Sequence, residues 1–327
     1  MESDLAKTPF VRELASSDRP TRDKAVESLT LYLSSRRDFS LLELLKVWKG
    51  LFFCFYHSDR PLTQQALARN LSYKLVPALP RPNTLQNFLR AFWTTISRDF
   101  HSLDRLRLDK YLFLIRCYIG VAFEVFLGSK GASESGGVQK KNKEGEKGDT
   151  KRRKGKRKRD EDGDEGEGAE VAGDNEQLDT YLSMMEEGPL SPLVFEYGSG
   201  DDPAEKFTRM TKGPDGLRYH ILDIWLDELE KVCAEEDPSS RNADDNNDDD
   251  DGEGSETNVP KTRLKGDVPM ELILRPIRRL QADSPNKIVR RRAAGVLDDD
   301  RLVDWGVIVR EKESESEDED EEWGGIE

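Results

Sequence analysis

The residues best suited to chemistry in this sequence are three histidines, and their spacing does not favour catalysis or metal binding. His57, His101 and His220 have no metal-ligand spacing with one another or with a cysteine. The run His57-Ser58-Asp59 contains the residue types of a hydrolase triad, but adjacent residues cannot supply that geometry, and no Gly-x-Ser-x-Gly turn is present. A Walker loop and a Gly-x-Gly-x-x-Gly sequence are also missing. We therefore expect a protein without enzymatic activity, bound metal or cofactor.

The three cysteines, Cys54, Cys117 and Cys233, are far apart and odd in number, and no Cys-x-x-Cys sequence occurs. This pattern is typical of reduced thiols in the core of a nuclear or cytosolic protein. It argues against a disulfide framework and against a structural zinc site.

No stretch of the sequence predicts contact with a membrane. The first four residues carry two acids where a signal peptide has basic residues and an apolar run. Residues 111–127 are strongly apolar, but Arg116 and Glu124 interrupt them and the stretch is short for a span. We expect a buried core helix there and no membrane partner.

The distribution of charge indicates a polyanionic partner. The chain of 327 residues has a net charge of −15. Residues 1–127 nevertheless contain 19 Lys and Arg against 13 Asp and Glu, and residues 259–310 contain 12 against 7. The excess acid lies elsewhere, as in residues 311–327, which contain 10 acids and one Lys. A basic body with acidic appendages is suited to a polyanion.

One basic run is dense enough to predict a function by itself. Eight of the nine residues 151–159 are basic, and three acids follow directly. The run predicts nuclear import or salt-dependent contact with RNA phosphates, without specificity for base sequence. The alternative is a solvated block of charge. The basic residues are Lys151, Arg152, Arg153, Lys154, Lys156, Arg157, Lys158 and Arg159.

Basic residues also cluster around the start of a helix predicted after Asp104. They would either form weak local ion pairs with Asp99, Asp104 and Asp109, or contact phosphates or an acidic partner. Three consecutive arginines lie in a second basic segment, residues 287–296. The predicted RNA or partner contacts are Arg60, Arg98, Arg105, Arg107, Lys110, Arg290, Arg291, Arg292 and Trp305.

The elements that must position these side chains are predicted to be helices. Apolar residues after Ser40 recur at intervals of three and four, and Ser40 is suited to cap that helix. Similar stripes predict helices at residues 8–14, after a cap at Asp18 or Thr21, at 61–76, after a cap at Thr84, and from Asp104 to about residue 127. Further helices are predicted at residues 178–185, 217–232 and 269–281.

Short connections between such helices predict an all-α, HEAT-like helical repeat stack, or α-solenoid. No internal sequence repeat proves it, and a plain helical bundle is the alternative. The expected organisation is a helical body at residues 1–128, a disordered linker with the basic run at 129–175, a helical extension packing on the body at 176–236, an acidic disordered linker at 237–258, a basic C-terminal helical segment at 259–310 and an acidic disordered tail at 311–327.

The tryptophans divide into two groups. Trp48, Trp93 and Trp225 lie on apolar stripes, so we expect them in the core. Trp305 and Trp323 have polar neighbours and are interpreted as anchors for a partner. In the acidic tail, Ser314 and Ser316 directly precede acids and are candidate phosphorylation sites, whose modification would make the tail more negative; an unmodified solubilising tail is the alternative.

Several stretches resemble the nucleolar ribosomal RNA-processing protein 1 family, and the long charged insertions are similar to those of a fungal member. Phe100 stands where the family pattern has Trp. The stretches that carry the resemblance are Trp48-Lys49-Gly50-Leu51-Phe52, Ser58-Asp59-Arg60-Pro61-Leu62-Thr63-Gln64-Gln65, Phe88-Leu89-Arg90-Ala91-Phe92-Trp93, Leu103-Asp104-Arg105-Leu106-Arg107-Leu108-Asp109-Lys110-Tyr111 and Gly216-Leu217-Arg218-Tyr219-His220-Ile221-Leu222-Asp223-Ile224-Trp225-Leu226-Asp227-Glu228-Leu229.

The resemblance implies a non-enzymatic nucleolar factor for assembly of the large (60S) ribosomal subunit. It implies a HEAT-like fold, a role in maturing the large-subunit precursor rRNA, and a place in early pre-60S particles beside Brix-domain and WD-repeat assembly factors. The alternative is an acidic-tailed nuclear chaperone or import adaptor, in which residues 244–251 and 311–322 hold basic cargo.

Overall fold

The computed structural model describes residues 13, 16, 18–36, 38–80, 82–128, 166–192, 210, 213–235, 263–265 and 268–309. Across these ranges the chain forms ten α-helices and one isolated β-bridge, between Ala234 and Leu264. The helices are α1 (Arg19–Ser35), α2 (Leu41–Tyr56), α3 (Pro61–Arg69), α4 (Asn83–Asp99), α5 (Arg105–Leu127), α6 (Gly166–Glu187), α7 (Asp215–Cys233), α8 (Met270–Asp283), α9 (Lys287–Leu297) and α10 (Asp300–Asp304). A π-helical turn (Asn70–Lys74) extends α3.

Capping side chains begin several helices where the sequence predicts them. The Ser40 hydroxyl accepts a hydrogen bond from the backbone N–H of Glu43, whose carboxylate accepts one in return from the backbone N–H of Ser40. Asp18 and Asp104 accept from backbone N–H groups in the first turns of α1 and α5. The cap predicted at Thr84 is wrong, because α4 already begins at Asn83 and Thr84 lies inside it.

One further helix boundary differs from the sequence prediction, and other predicted segments lie outside the described residues. Helix α6 begins at Gly166, well before the helix predicted at residues 178–185 and inside the range predicted as a linker. The helix predicted at residues 8–14 lies outside the described residues except for Glu13. The acidic segments 237–258 and 311–327 also lie outside them.

The helices of even number, α2 to α8, form the first of two layers. Each contacts the next one, α2 with α4, α4 with α6 and α6 with α8. Helix α4 is joined to α6 by a buried hydrogen bond, in which the indole N–H of Trp93 donates to the Tyr181 hydroxyl at 3.3 Å. Arg275 of α8 then donates to Glu186 of α6 at 2.7 Å.

The helices of odd number, α3 to α9, form the second layer in the same way. Helix α3 contacts α5, α5 contacts α7 and α7 contacts α9. Polar contacts join helices that are distant in sequence: Arg116 of α5 donates to Asp227 of α7 at 2.6 Å, and Arg292 of α9 donates to Asp223 at 2.6 Å. Four successive helix pairs, α2–α3 to α8–α9, therefore stack side by side as a helical repeat, which confirms the all-α stack.

Helices of the two layers run in opposite directions. Along α2 the ring of Trp48 lies 5.4 Å from that of Tyr118, while Phe52 accepts at its carbonyl from the Tyr111 hydroxyl at 2.9 Å. Later residues of α2 thus meet earlier residues of α5. The core between the layers contains the expected tryptophans Trp48, Trp93 and Trp225, all fully buried, and the three cysteines lie buried as free thiols. None of the described helices is long and apolar enough to span a membrane.

Candidate nucleic-acid and partner interface

The helices of the second layer all begin at the same edge of the stack. At this edge the Asp59 carboxylate lies 3.4 Å from the Lys110 ammonium, which places the start of α3 beside that of α5. A Cβ on Gly216 would lie 3.7 Å from the Phe100 ring, which places α7 next. Asn286 then donates to Asp215 at 2.6 Å and so places α9 beside α7. We call residues 60–62, 104–107, 214–216 and 286–288 the helix-start edge.

Exposed basic and apolar side chains alternate along the helix-start edge. In three of the four helices a basic residue is followed within two positions by a large apolar residue that faces solvent. Leu62 is 82% exposed, Leu106 91% and Ile288 56%. The exposed basic residues are Arg60, Arg105 and Lys287. Apolar side chains so exposed contribute nothing to the core and are available to a partner.

The helix ends add to the positive potential of this edge. The first backbone N–H groups of a helix lack partners within it, and the aligned peptide dipoles make that end positive. Since α3, α5, α7 and α9 start here, four such ends lie at one edge, about 8–10 Å apart from helix to helix at normal packing distances. The starts of α3 and α7 have no side-chain cap, so no side chain competes for their first N–H groups; in α3 these donors begin at Leu62, because Pro61 has no N–H.

The ammonium of Lys110 has a structural role, although the sequence places it among the predicted contacts. Its side chain is only 3% exposed. It donates to the carbonyl oxygens of Tyr56 and Ser58 at 2.8 and 2.9 Å and so caps the end of α2. Burial lowers the pKa of this ammonium, and Asp59 opposes that shift. A buried, saturated donor cannot reach a phosphate, so the structure does not support contact by Lys110.

Arg107 is held within the same group of side chains but keeps part of its surface. It donates to the Asp104 carboxylate at 2.6 Å and lies over the Tyr56 ring at 4.3 Å from the centroid. The hydrogen bond lowers the pKa of Asp104 and raises that of Arg107. Arg98 lies partly exposed at the end of α4, next to this edge. The predicted cluster is therefore brought together, with Arg60 and Arg105 as its exposed members.

The three arginines of α9 have different surroundings. Arg290 donates to the carbonyl oxygen of Ser284 at 2.6 Å and joins the turn between α8 and α9. Arg292 forms two hydrogen bonds with Asp223 and lies over the Tyr219 ring. Arg291 is exposed on the outer face. Helix α9 contains four basic residues and no acid, so its outer face stays positive despite these pairs.

Of the remaining predicted contacts, one packs at the edge of the hydrophobic core and the others lie outside the described residues. Trp305 is partly buried and packs against the hydrophobic core after α10, so its ring serves the fold on at least one side. The basic run 151–159, Trp323 and the candidate phosphorylation sites Ser314 and Ser316 lie outside the described residues.

The histidines are not assembled into a site in the described part of the chain, where no group of His, Cys, Asp or Glu could hold a metal ion. His57 and His101 are exposed. His220 lies 2.9 Å from the carbonyl oxygen of Leu112, and burial lowers its pKa. Burial also raises the pKa of Cys54 to about 12 and that of Cys117 to about 11, so both thiols stay protonated and unreactive at neutral pH.

Sequence reasoning missed the exposed apolar residues of the helix-start edge and Lys287. Leu62, Leu106 and Ile288 each follow a basic residue at a helix start, outside the apolar stripe of their own helix, and that local pattern is the signal that could have found them. That they share one edge follows only from the tertiary contacts.

Comparison with known proteins finds similarity over most of the chain. Residues 5–324 match the family model described as "Nucleolar protein, Nop52". The chain is 31% identical over 236 residues to the human ribosomal RNA processing protein 1 homolog B, covering 71% of this chain and 23% of that protein. It is 29% identical over 238 residues to the human homolog A, covering 71% and 39%.

A more distant relative is the ribosomal RNA processing protein 1 homolog of Dictyostelium discoideum, 24% identical over 223 residues, with coverage of 68% and 36%. The chain thus spans roughly a quarter to two fifths of the length of these curated relatives. Because the family model covers nearly the whole sequence, the chain belongs to the Nop52 family of nucleolar proteins.

Proposed function

We propose that this protein is a non-enzymatic assembly factor of the large ribosomal subunit, a scaffold that binds precursor rRNA and partner proteins in early pre-60S particles. Its relatives carry the name of ribosomal RNA processing proteins, which supports a role in ribosome biogenesis. The observation that carries the proposal is the helix-start edge, where four helix N-termini and exposed basic residues lie side by side.

The edge is suited to the RNA backbone because three of its four helix starts carry an exposed basic residue, although α7 contributes Asp215 instead. Arg60 and Arg105 come from helices that are adjacent in the second layer, and Lys287 comes from the last helix of that layer. Such cations contact phosphates and give affinity that depends strongly on salt but little on sequence. Leu62 and Leu106 then contact bases or an apolar surface of a partner.

The other parts of the proposal concern location and partners. The protein acts in the nucleolus, its basic run 151–159 serves import or additional RNA contact, and Brix-domain and WD-repeat assembly factors are its neighbours in the particle. The family description supports the nucleolar location, and the density of the run supports import or RNA contact. Phosphorylation of Ser314 or Ser316 would increase the negative charge of the tail.

Binding of the full chain to a single-stranded fragment of precursor rRNA tests the RNA contact. The double variant Arg60→Gln/Arg105→Gln should bind more weakly at every salt concentration. The plot of log association constant against log [salt] should also become shallower, by about 0.7 in slope for each phosphate that the variant no longer neutralises. Arg278→Gln is the matched control, since Arg278 is an exposed arginine of α8 that pairs with Glu271 on its own helix. Equal affinity of all three proteins would contradict RNA binding by this edge.

Sedimentation of the tagged protein from cells tests the assembly role. The protein should migrate with pre-60S particles and large-subunit precursor rRNA, and it should remain there when residues 244–251 and 311–322 are deleted. Migration only at the top of the gradient, together with binding of histones or basic ribosomal proteins that needs those acidic residues, would instead favour the chaperone alternative. Those residues lie outside the described part of the chain.

A further inference from the structure

A pocket of about 350 Å³ opens at the helix-start edge between the beginnings of α1 and α3. The side chains that bear on its chemistry are Asp18, Arg19, His57, Ser58, Asp59 and Arg60. It differs from the larger groove of about 660 Å³ between α2, α4 and α6, whose lining has two carboxylates and no basic residue. The smaller pocket thus joins a confined space to the positive edge.

The positive groups of this pocket come from both helices and from the turn between α2 and α3. Arg60 is exposed at its mouth and immediately precedes α3. Arg19 is 56% exposed and paired with Asp23 of its own helix at 3.3 Å, a contact easily exchanged for an anion. His57 adds an imidazole that can donate a hydrogen bond. The first turn of α3 has no side-chain cap and no acid, and its start borders the pocket at Arg60 and Thr63.

Both acids of the pocket are already engaged elsewhere. Asp18 accepts hydrogen bonds from the backbone N–H and the hydroxyl of Thr21, at 3.1 and 2.6 Å, as the cap of α1. The Asp59 carboxylate faces the Lys110 ammonium at 3.4 Å and the Arg107 guanidinium at 3.7 Å. The charge of Asp59 is therefore paired with two cations and repels an anion less than a free carboxylate would, while Asp18 keeps its charge and is held by neutral donors.

Ser58 provides the observation that points to a ligand. Ser58 is among the residues that line the pocket; the residue is 1% exposed, and its buried hydroxyl has no hydrogen-bond partner among the described residues. Buried hydroxyl groups normally have a partner, because leaving one unpaired costs about 1–3 kcal/mol. An acceptor that enters the pocket would satisfy this donor.

We propose that this pocket binds one phosphate group of an RNA strand that runs along the helix-start edge. The proposal rests on the proposed function and adds a fixed anchoring site to it. A tetrahedral phosphate accepts from a hydroxyl, from helix N-terminal N–H groups and from arginine at once, and the pocket brings these donors together. An RNA strand is favoured over an acidic protein because the pocket lies on the same edge as the exposed cation of Arg105.

The histidines permit a direct test with inorganic phosphate as the probe. In the full chain with ¹³C-labelled histidine, the His57 signal should shift saturably on addition of phosphate at constant ionic strength. His101, exposed outside the pocket, and His220, bonded to Leu112, serve as internal references and should not saturate. Parallel, unsaturated shifts of His57 and His101 would overturn the proposal.

Two variants separate the pocket from general electrostatics. Ser58→Ala should lower phosphate affinity about tenfold, the effect expected for one hydrogen bond to a charged group, without loss of stability. The matched control is Ser97→Ala, which removes another buried, unpartnered hydroxyl that lies outside this pocket. Equal phosphate affinity of Ser58→Ala and the unchanged chain would remove the basis of the proposal.

Measurements of RNA binding by the variants distinguish this proposal from the proposed function. Arg105→Gln should weaken RNA binding while leaving the phosphate response of His57 unchanged, whereas Ser58→Ala should weaken both. Weaker RNA binding by Arg105→Gln together with no phosphate response would refute the pocket alone. Short RNAs with a 5′-phosphate or a 5′-hydroxyl show whether the bound group is terminal or internal. Displacement of phosphate by an acidic peptide, but not by RNA, would also refute the proposal.

Discussion

Replacing Lys110 by methionine should lower the free energy of unfolding by about 2–4 kcal/mol, since two buried acceptors would be deprived of a charged donor. The ammonium donates to the carbonyl oxygens of Tyr56 and Ser58 at 2.8 and 2.9 Å. Hydrogen bonds to charged groups each contribute about 1.5–3 kcal/mol. Removal of a buried charge offsets part of this destabilisation, as the lowered pKa of Lys110 indicates.

Methionine is chosen because it keeps the apolar contact of the lysine stem and removes only the donors. The ammonium lies 5.7 and 5.9 Å from the ring centroids of Phe55 and Tyr56, so the stem is packed among these side chains. Arg105→Met is the control in the same helix, because Arg105 is exposed and its replacement should change stability by about 0.5 kcal/mol or less.

Urea denaturation followed by circular dichroism measures both variants against the unchanged chain. The midpoint should fall for Lys110→Met with little change in the slope, since the surface exposed on unfolding is nearly the same. A decrease below about 1 kcal/mol would show that the end of α2 does not depend on this ammonium and would refute the capping role. RNA affinity of the folded Lys110→Met protein should match that of the unchanged chain.

Three further predictions concern contacts between helices. Gly120→Ala should destabilise the fold by about 1–2 kcal/mol despite better helix propensity, because its Cβ would overlap the Tyr73 hydroxyl and lie 2.8 Å from the Glu228 carboxylate. Thermal denaturation measures this, and a raised midpoint would contradict it. Arg275→Ala should lower the free energy of unfolding by about 1–2 kcal/mol, since it removes hydrogen bonds to two carboxylates and a hydroxyl of α6. Amide hydrogen exchange in α8 should then become faster, and unchanged exchange would count against the role of this arginine. Burial lowers the pKa of His220, so the unfolded chain binds its proton more readily and the free energy of unfolding should fall as the pH drops below about 6.5. In urea titrations at several pH values, His220→Gln should reduce this dependence of stability on pH. An unchanged dependence would refute the assignment.

Local chemistry makes many helix starts predictable. Ser40 followed by Glu43 satisfies two backbone donors within one turn, and Asp104 caps α5 by the same local geometry. Local signals also mislead where several are close together: the sequence predicts a cap at Thr84, yet α4 begins at Asn83. The start of α6 at Gly166 is not predictable in this way, because its first turns lack an apolar stripe.

The role of each basic residue in the candidate interface is less predictable. Arg105, Arg107 and Lys110 lie within six residues, and the sequence treats them as one cluster. In the structure Arg105 is exposed, Arg107 pairs with Asp104, and Lys110 is buried at the end of α2. A rotation of about 100° per residue gives each side chain a different face, and only the packing of α5 decides which face meets a neighbour.

The all-α class, the core tryptophans, most helix starts and the family are predictable from the chain alone, because caps, apolar periodicity and short family stretches are local properties. The two layers of alternate helices, and the common edge at which α3, α5, α7 and α9 begin, are visible only in the folded protein. That arrangement depends on contacts between residues far apart in the chain, such as Arg116 with Asp227 and Asn286 with Asp215. Because the sequence has no internal repeat from which these helix contacts could be predicted, no local pattern shows which helix ends lie together.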